Sequence, residues 1–456
     1  MAPPSLLWFR QDLRLADQPA LAAAASLGAV IPVYILDDET PPARYRMGSA
    51  QRWWLHHSLK SLDASLREKG SRLILRRGRA DRLLTELMAE TGAGVIHANR
   101  HYEPWWRKAE ERLGERLCLH DASTLAPVRD VRTGAGTLFK VYSAFWRALQ
   151  EHVPPPEPRP APTHIPVPSK WPKSDALGSW ELLPSKPDWA KGFADEWTPG
   201  EGAAHERAKD FAPEVGHYEA RRDLPGEEGT SRFSPHLHFG EISPAAVWHA
   251  LDGHRDAGKF RKELAWRDFA AGVITALPDY GGENGRPAFD RLPWRSGRAA
   301  SADLRAWQRG ETGYPIVDAG MRQLWATGWM HNRVRMITAS FLTKHLLIDW
   351  RTGFDWYWDC LVDADYGNNS VNWQWVAGTG VDANMFGRIM APLSQSEKFD
   401  AGDYIRRWVP ELADVPDPAI HDPEAAGLVP KNYPAKIIGH KEGRERALAA
   451  AREMRG

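Results

Sequence analysis

Residues 154–170 read PPPEPRPAPTHIPVPSK, with eight prolines in seventeen positions. Each proline fixes φ and removes a backbone N–H, so neither a helix nor a central strand can run through them. Such a segment must be extended, and it divides the chain into two bodies. Before it, short apolar runs at 5–9, 29–36, 72–75 and 94–98 alternate with helical stretches at 16–27, 50–69 and 80–91. Strands alternating with helices predict a parallel, Rossmann-like sheet covered on both faces. No GxGxxG follows the first strand, so the dinucleotide fingerprint of that fold is absent. Beyond about residue 200, apolar residues recur every three and four positions at 243–251, 258–276, 302–308, 316–328 and 331–346. We therefore expect an α/β N-terminal domain over 1–130, a Pro-rich interdomain linker over 131–200 and an all-α C-terminal domain over 201–456, with no internal repeat.

Composition narrows the function. Lys plus Arg equals Asp plus Glu at 59 each, which argues against a protein that coats nucleic acid but leaves room for a local basic patch. No run of ~18 apolar residues predicts a membrane span. The N-terminus lacks the basic and apolar segments of a secretory signal, so a cytoplasmic protein is expected. Cys118 and Cys360 form no CxxC pair; zinc, iron–sulfur and disulfide frameworks are not expected, and both thiols are predicted to be reduced and buried. The 22 Trp exceed what a core of this size needs and suggest stacking on a flat ligand or electron transfer, although a Trp-rich core explains composition alone better.

Four clusters in the helical half carry chemistry. Gly229-Thr-Ser-Arg-Phe-Ser234 places three hydroxyls and a guanidinium before a helix, a phosphate cradle or, equally well, a simple N-cap. Glu263, Trp266 and Arg267 lie at i, i+3 and i+4 on one helical face, where a surface ion pair beside a core Trp is the plainer alternative. In Trp329-Met-His-Asn-Arg-Val-Arg-Met336, Asn332 and Met336 share a face suited to a pocket that is part apolar and part hydrogen-bonding, while His331 reads as structural. Asp363-Ala-Asp365, with Asn368, Asn369 and Trp373-Gln-Trp375 after it, suits a loop gripping a heterocycle and ribose. A metal site is its rival, but no His accompanies the acids.

Taken in order, Trp8-Phe-Arg-Gln-Asp-Leu-Arg-Leu15, Thr230–Ser234, Thr312-Gly-Tyr-Pro-Ile-Val-Asp318, 328–336, 363–375 and Glu397-Lys-Phe399 resemble the photolyase/cryptochrome family over nearly the whole chain. The resemblance implies the two-domain fold read above and a helical domain holding FAD. It implies light-driven repair of cyclobutane pyrimidine dimers in DNA by electron transfer from excited reduced FAD. By position it places Tyr218, Thr230, Ser231, Arg232, Phe233 and Ser234 on the FAD phosphates and ribityl chain. Phe260 falls near the flavin, Arg335 pairs with Asp363 beneath the isoalloxazine, and Asp365 and Asn369 stand by its ring nitrogens. Glu263, Trp266, Asn332, Arg333, Met336, Trp375 and Gln395 become the lesion pocket, with Arg222 on the DNA backbone. Trp373, Trp350 and Trp294 take the positions of an electron-hopping chain. Glu263 and Asn332 would hydrogen-bond the extruded bases.

Within the family, Asn332 and Met336 stand where (6-4) photolyases carry histidines. Asn332 and Asn369 stand where plant-type cryptochromes tend to carry Asp, and Trp375 where they carry Tyr. The chain ends soon after Tyr433 without a signalling tail, and has too few cysteines for the iron–sulfur subgroup. Dimer repair is therefore expected over the alternative, a blue-light receptor that binds FAD without repair. The segment 382–388 resembles class I-like alphaproteobacterial or class III enzymes. The antenna chromophore implied is methenyltetrahydrofolate ahead of 8-hydroxy-deazaflavin, although the residues around Tyr102–Trp106 do not match the best-known folate binders. The partner is UV-damaged DNA and a monomer is expected. With zero net charge, DNA binding requires a basic patch, expected around Arg222, Arg267, Arg333 and Lys398.

Overall fold

Leu6, Leu7, Trp8 and Phe9 follow one another with no polar interruption, the pattern of a strand buried on both faces. In the computed structural model, which describes residues 3–382 and 389–455, they form β1 (Ser5–Phe9) at the centre of a five-stranded parallel sheet. Its other strands are β2 (Val30–Leu36), β3 (Ile74–Arg77), β4 (Val95–Asn99) and β5 (Leu117–His120), in the order β3-β2-β1-β4-β5. Leu7 and Phe9 pack with Leu21 and Trp54 on one face, and Leu6 and Trp8 with Leu84, Ala109 and Leu113 on the other. Of the segment 382–388, only Asp382 lies within the described residues.

In the α/β domain the four expected strands are present and a helix and a strand add to the expected set; in the helical body, most of the stretch expected as a loop lies in helix Tyr366–Ala377. Helix Pro104–Leu113 is short, with five charged residues in ten and an apolar face of only Trp105, Ala109 and Leu113, and β5 has only four residues at the sheet edge. The first helix begins at Pro19 instead of 16, because proline is favoured at the opening turn. The helix expected at 302–308 spans Gly297–Arg309. Cys360 is buried as expected, but Cys118 is exposed, because β5 is the outermost strand.

The proline-dense segment is a strap laid on the α/β domain. Val30 N–H donates to Pro166 O at 2.8 Å, Asp17 N–H to Arg159 O at 2.7 Å, and Ile165 is fully buried. Prolines cannot donate, but their carbonyls accept, so the strap satisfies the start of β2 without becoming a strand. Further on it also carries the short turns Leu177–Trp180 and Phe193–Glu196. Helix Tyr142–Leu149, within the expected linker, packs instead on helix Gly258–Ala276 of the helical body.

In the helical body, Pro315–Thr327, Asn332–Ser340, Trp350–Cys360 and Tyr366–Ala377 surround one core that includes Trp307, Val334, Phe341 and Trp350. Helix Asn332–Ser340 runs on into a single π turn, Phe341–His345, against which the last helix, His440–Arg455, packs. No helix among the described residues is long and apolar enough to cross a membrane.

The two bodies dock through the Trp8–Leu15 motif and helix Ser49–Glu68. Leu13 N–H donates to Phe239 O at 3.0 Å, the buried Arg14 guanidinium donates to Gly240 O at 3.0 Å, and Trp54 Nε1 donates to the buried Glu241 carboxylate at 3.0 Å. Gly240 has φ +64°, and a Cβ there would lie 2.1 Å from Gln11 O, so only glycine fits this contact. The docking fixes helix Ser234–His238, which supplies one wall of the cavity described next.

Candidate functional site

Four helical segments converge on a cavity of about 410 Å³. Helix Gly258–Ala276 presents Phe260, Glu263, Trp266 and Arg267 to it, spaced by three and four residues so that one face points inward. Helix Ser234–His238 adds Ser234, Leu237 and His238, with Tyr218, Arg222, Ser231 and Phe233 beside it. Helix Asn332–Ser340 brings Asn332, Arg333, Arg335 and Met336. Helix Tyr366–Ala377 brings Asn372, Trp375 and Val376. A deeper recess of about 100 Å³ shares Asn332, Arg335, Asp363 and Asp365 and adds Asn369 and Trp373.

Caps position these walls. His331 Nδ1 accepts from Arg333 N–H at 3.2 Å and starts helix Asn332–Ser340. Asp365 Oδ1 accepts from Asn368 N–H at 2.7 Å and from its side-chain amide at 2.9 Å, starting helix Tyr366–Ala377. Burial pushes the Asp365 carboxyl up, but neighbouring His238 and the Asn368 N–H outweigh it and hold it below its ordinary value. Arg335 binds Asp363 through two bonds of 3.0 and 2.8 Å and also donates to Met330 O at 2.7 Å, joining the two capped helices across the recess. Burial holds His331 at about 4, against its ordinary 6.5.

The expected basic patch is resolved into ion pairs. Arg222 bonds Glu263 and lies 3.6 Å from Asp223, while Arg333 bonds Asp223 at 2.5 Å. Lys398 stays at the exposed end of helix Pro392–Lys398, over the Phe399 ring. Arg267, also inward, donates to Leu237 O at 3.1 Å instead of to an acid, so the patch is neutralised at Arg222 and Arg333 but not there.

Three further expectations change. The Arg232 side chain turns away from the cavity: its guanidinium bonds Glu196 at 2.9 Å and lies 4.4 Å over Trp197, a direction set by its left-handed backbone at φ +54°. Thr230 lines a smaller neighbouring pocket with Arg207 and Asp210. Gln395 lines neither the cavity nor its recess; its helix packs on helices Pro315–Thr327 and Asn332–Ser340. Of the tryptophans, Trp373 lines the recess and meets Tyr357 edge-on at 4.9 Å. Trp350 is fully buried and donates to Asn284 at 3.0 Å, and Trp294 lies nearer the surface, against Phe289 and Leu347.

Two participants were not visible in the sequence. Tyr142 stacks on Trp266 with ring centroids 3.7 Å apart and planes 4° from parallel, so one face of the Trp266 indole is already covered. Asp223 neutralises Arg333. Neither residue belongs to a motif, and both arrive from segments remote in the chain.

The cavity fits a large polar heterocycle with phosphates. Asn369 Nδ2, Trp373 Nε1 and Arg267 Nη1 are buried without a hydrogen-bond partner, and all belong to residues lining the cavity or its recess. Unpaired buried donors cost about 1–3 kcal/mol each, so three in one place point to a bound group that satisfies them.

Comparison with known proteins agrees with this reading. A family model described as the FAD binding domain of DNA photolyase matches residues 260–453, and one described as DNA photolyase matches residues 5–163. A protein of Agrobacterium fabrum named deoxyribodipyrimidine photo-lyase is 47% identical over 98% of this chain and 97% of its own length. The crystal structure of a bacterial class III photolyase from Agrobacterium tumefaciens superposes with a TM-score of 0.94 at 46% identity, covering 100% of this chain and 98% of the other. That of an archaeal photolyase from Sulfolobus tokodaii, described as holding two FAD molecules, gives 0.84 at 30% identity, covering 98% of this chain and 99% of the other.

The His331 cap makes the site acid-sensitive. Its imidazole stays neutral in the fold down to about pH 4 but is protonated in the unfolded chain below 6.5, so the stability it confers is complete above pH 6.5 and lost as pH falls towards 4. Asn caps a helix without titrating. Denaturant midpoints should therefore fall less steeply between pH 6.5 and 4 in His331→Asn than in the parent protein, whereas equal slopes would contradict the cap's role.

Proposed function

The chain belongs to the DNA photolyase family, and from that premise we propose that it is a deoxyribodipyrimidine photo-lyase acting on cyclobutane pyrimidine dimers in UV-damaged DNA. The observation that carries the reading is one cavity lined at once by Glu263, Trp266, Asn332, Met336 and Trp375 and, more deeply, by Asp363, Asp365 and Asn369. The first set suits two linked pyrimidines of one strand turned out of the duplex; the second suits the isoalloxazine of FAD. The chemistry FAD supplies when bound is the light-driven loan of one electron that opens the cyclobutane ring.

The chain's own residues bind, orient and exclude water. Ser231 and Ser234 offer hydroxyls, and Tyr218 and Phe260 apolar walls, to the FAD chain. Asn369 turns an unpartnered amide into the recess, where it can hydrogen-bond the ring and tune its electronics. The Arg335–Asp363 pair holds the recess open to a flat ring. At the mouth, the Glu263 carboxylate and Asn332 amide accept from and donate to the imide edges of the two bases. Trp266, backed by Tyr142, and Trp375 give them flat apolar surfaces. A dimer stacks and pairs poorly, so turning it out of the duplex costs less than for intact bases. Arg222 and Arg333 can pass from their acid partners to DNA phosphates, which makes binding salt-dependent.

Trp373, Trp350 and Trp294 form a route from the recess towards the surface that keeps the cofactor reduced. Trp373 supports this by lining the recess, and Trp294 by its partial exposure.

The antenna we assign is a folate. The crevice at the carboxyl ends of β1 and β4, where strand order reverses and such sheets usually take ligands, is filled by the buried Arg10–Glu110 pair, Asp12 and Asn99. Beyond β4 and β5 opens a separate cavity of about 410 Å³ lined by Arg100, Arg107, Arg129 and Arg132 with Glu110 and Glu111, an arginine excess suited to the carboxylates of a folate's glutamate tail. Mass spectrometry of the chromophores released from purified protein should find FAD and a folate; a deazaflavin would overturn the antenna assignment.

Two variants separate repair from photoreduction. Glu263→Ala leaves lesion polar groups unpaired in a dry pocket, at a cost of about 1–3 kcal/mol. It should lower the dimers split per photon while photoreduction proceeds at the parent rate. Trp373→Phe should slow photoreduction and spare repair by chemically reduced protein. An unchanged repair yield in the first, or unchanged photoreduction in the second, removes that residue from its role.

A further inference from the structure

β5 is an outer strand, and its parallel register on β4 sets His97 opposite Cys118 and Asn99 opposite His120. Side chains alternate across a strand with a period of two, so Cys118 and His120 share a face, and His97 lies on that same face. One donor atom from each of the three residues lies within 4.8 Å of the other two. His97 Nδ1 and His120 Nε2 are 3.0 Å apart, and the rings lie 27° from parallel with centroids 5.3 Å apart. His97 is buried, and its Nε2 has no hydrogen-bond partner; His120 is half-buried and Cys118 exposed. The cluster is therefore anchored on the inner strand and open to solvent on the outer one. Nothing in the repair chemistry uses these residues.

We propose that His97, Cys118 and His120 bind one borderline-soft divalent cation, Zn(II) being the natural choice, which ties the edge strand to its neighbour. Two imidazoles and a thiolate are a zinc ligand set, with water left to complete a tetrahedron. Zn–N bonds of about 2.0–2.1 Å put two tetrahedral nitrogens about 3.3 Å apart, so the observed pair needs to open by only a few tenths of an ångström. A neutral imidazole carries one lone pair that a metal can take. On binding, the proton between the rings passes to the far nitrogen of its own ring, the Cys118 thiol releases its proton to solvent, and no electron is exchanged. The sequence conceals the set because Cys118 and His120 form only a C-x-H pair, and strand register alone supplies the third ligand from 21 positions upstream.

Co(II) is the probe, because its tetrahedral d–d bands fall at longer wavelength than oxidised flavin absorbs. Flavin-loaded protein freed of metal by a chelator should develop these bands to saturation at one equivalent, and Zn(II) should abolish them. Cys118→Ser and His120→Ala, both on the outer strand, should each weaken binding by more than ~10-fold at unchanged flavin content. The proposal is overturned if no saturable band develops. It is equally overturned if both variants bind as the parent does, which would put the ion elsewhere, as at the exposed Glu157, His249 and Asp252.

Discussion

The paired bonds between Arg335 and Asp363 are the contact on which the functional half of this protein depends. They join helix Asn332–Ser340 to the turn that starts helix Tyr366–Ala377, and so hold apart the walls that carry Asn332 and Met336 on one side and Asn369 and Trp373 on the other. The Asp363 side chain is 1% exposed, so its charge has no recourse to water. Removing one partner from such a pair typically costs 3–5 kcal/mol, much of it from the charge left behind. A fork-to-carboxylate contact also fixes direction as well as distance, which a lysine could not do. The recess keeps its shape because this pair is bidentate and its carboxylate is buried.

A second constraint acts at the mouth. Arg222 and Arg333 are both engaged by acids, so DNA must compete with Glu263 and Asp223 for them. Zero net charge and affinity for a polyanion are compatible on these terms: the acids that neutralise the arginines in the free protein lie beside the places where bases and phosphates arrive. On the proposed reading, Glu263 would then change partner from a guanidinium to a base edge. Duplex without a lesion offers phosphates but no turned-out base, and so does less to repay the exchange.

Much of this architecture was legible in the chain. The strap at 154–170, β1 and helix Gly258–Ala276 stood out because proline density, an unbroken apolar run and a long three-and-four spacing are local properties. The cavity residues on helical faces, such as Glu263 with Arg267 and Asn332 with Met336, were readable for the same reason. What escaped is non-local. Tyr142 reaches Trp266 across more than a hundred residues, and Asp223 reaches Arg333 across a similar span. Arg232 was placed by sequence neighbourhood, but a left-handed backbone turned its side chain onto Trp197. The exposure of Cys118 follows from strand order, which short edge strands hardly signal.

The central claim is that one cavity holds a reduced flavin against a turned-out dimer. It is tested most directly by illuminating the reduced, flavin-loaded protein with blue light in the presence of an oligonucleotide containing a single thymine dimer, and following the absorbance of the restored bases. The account predicts recovery of that absorbance in the light and none in the dark. Protein that retains its reduced flavin and binds the damaged strand, yet leaves the dimer intact under prolonged light, would contradict it.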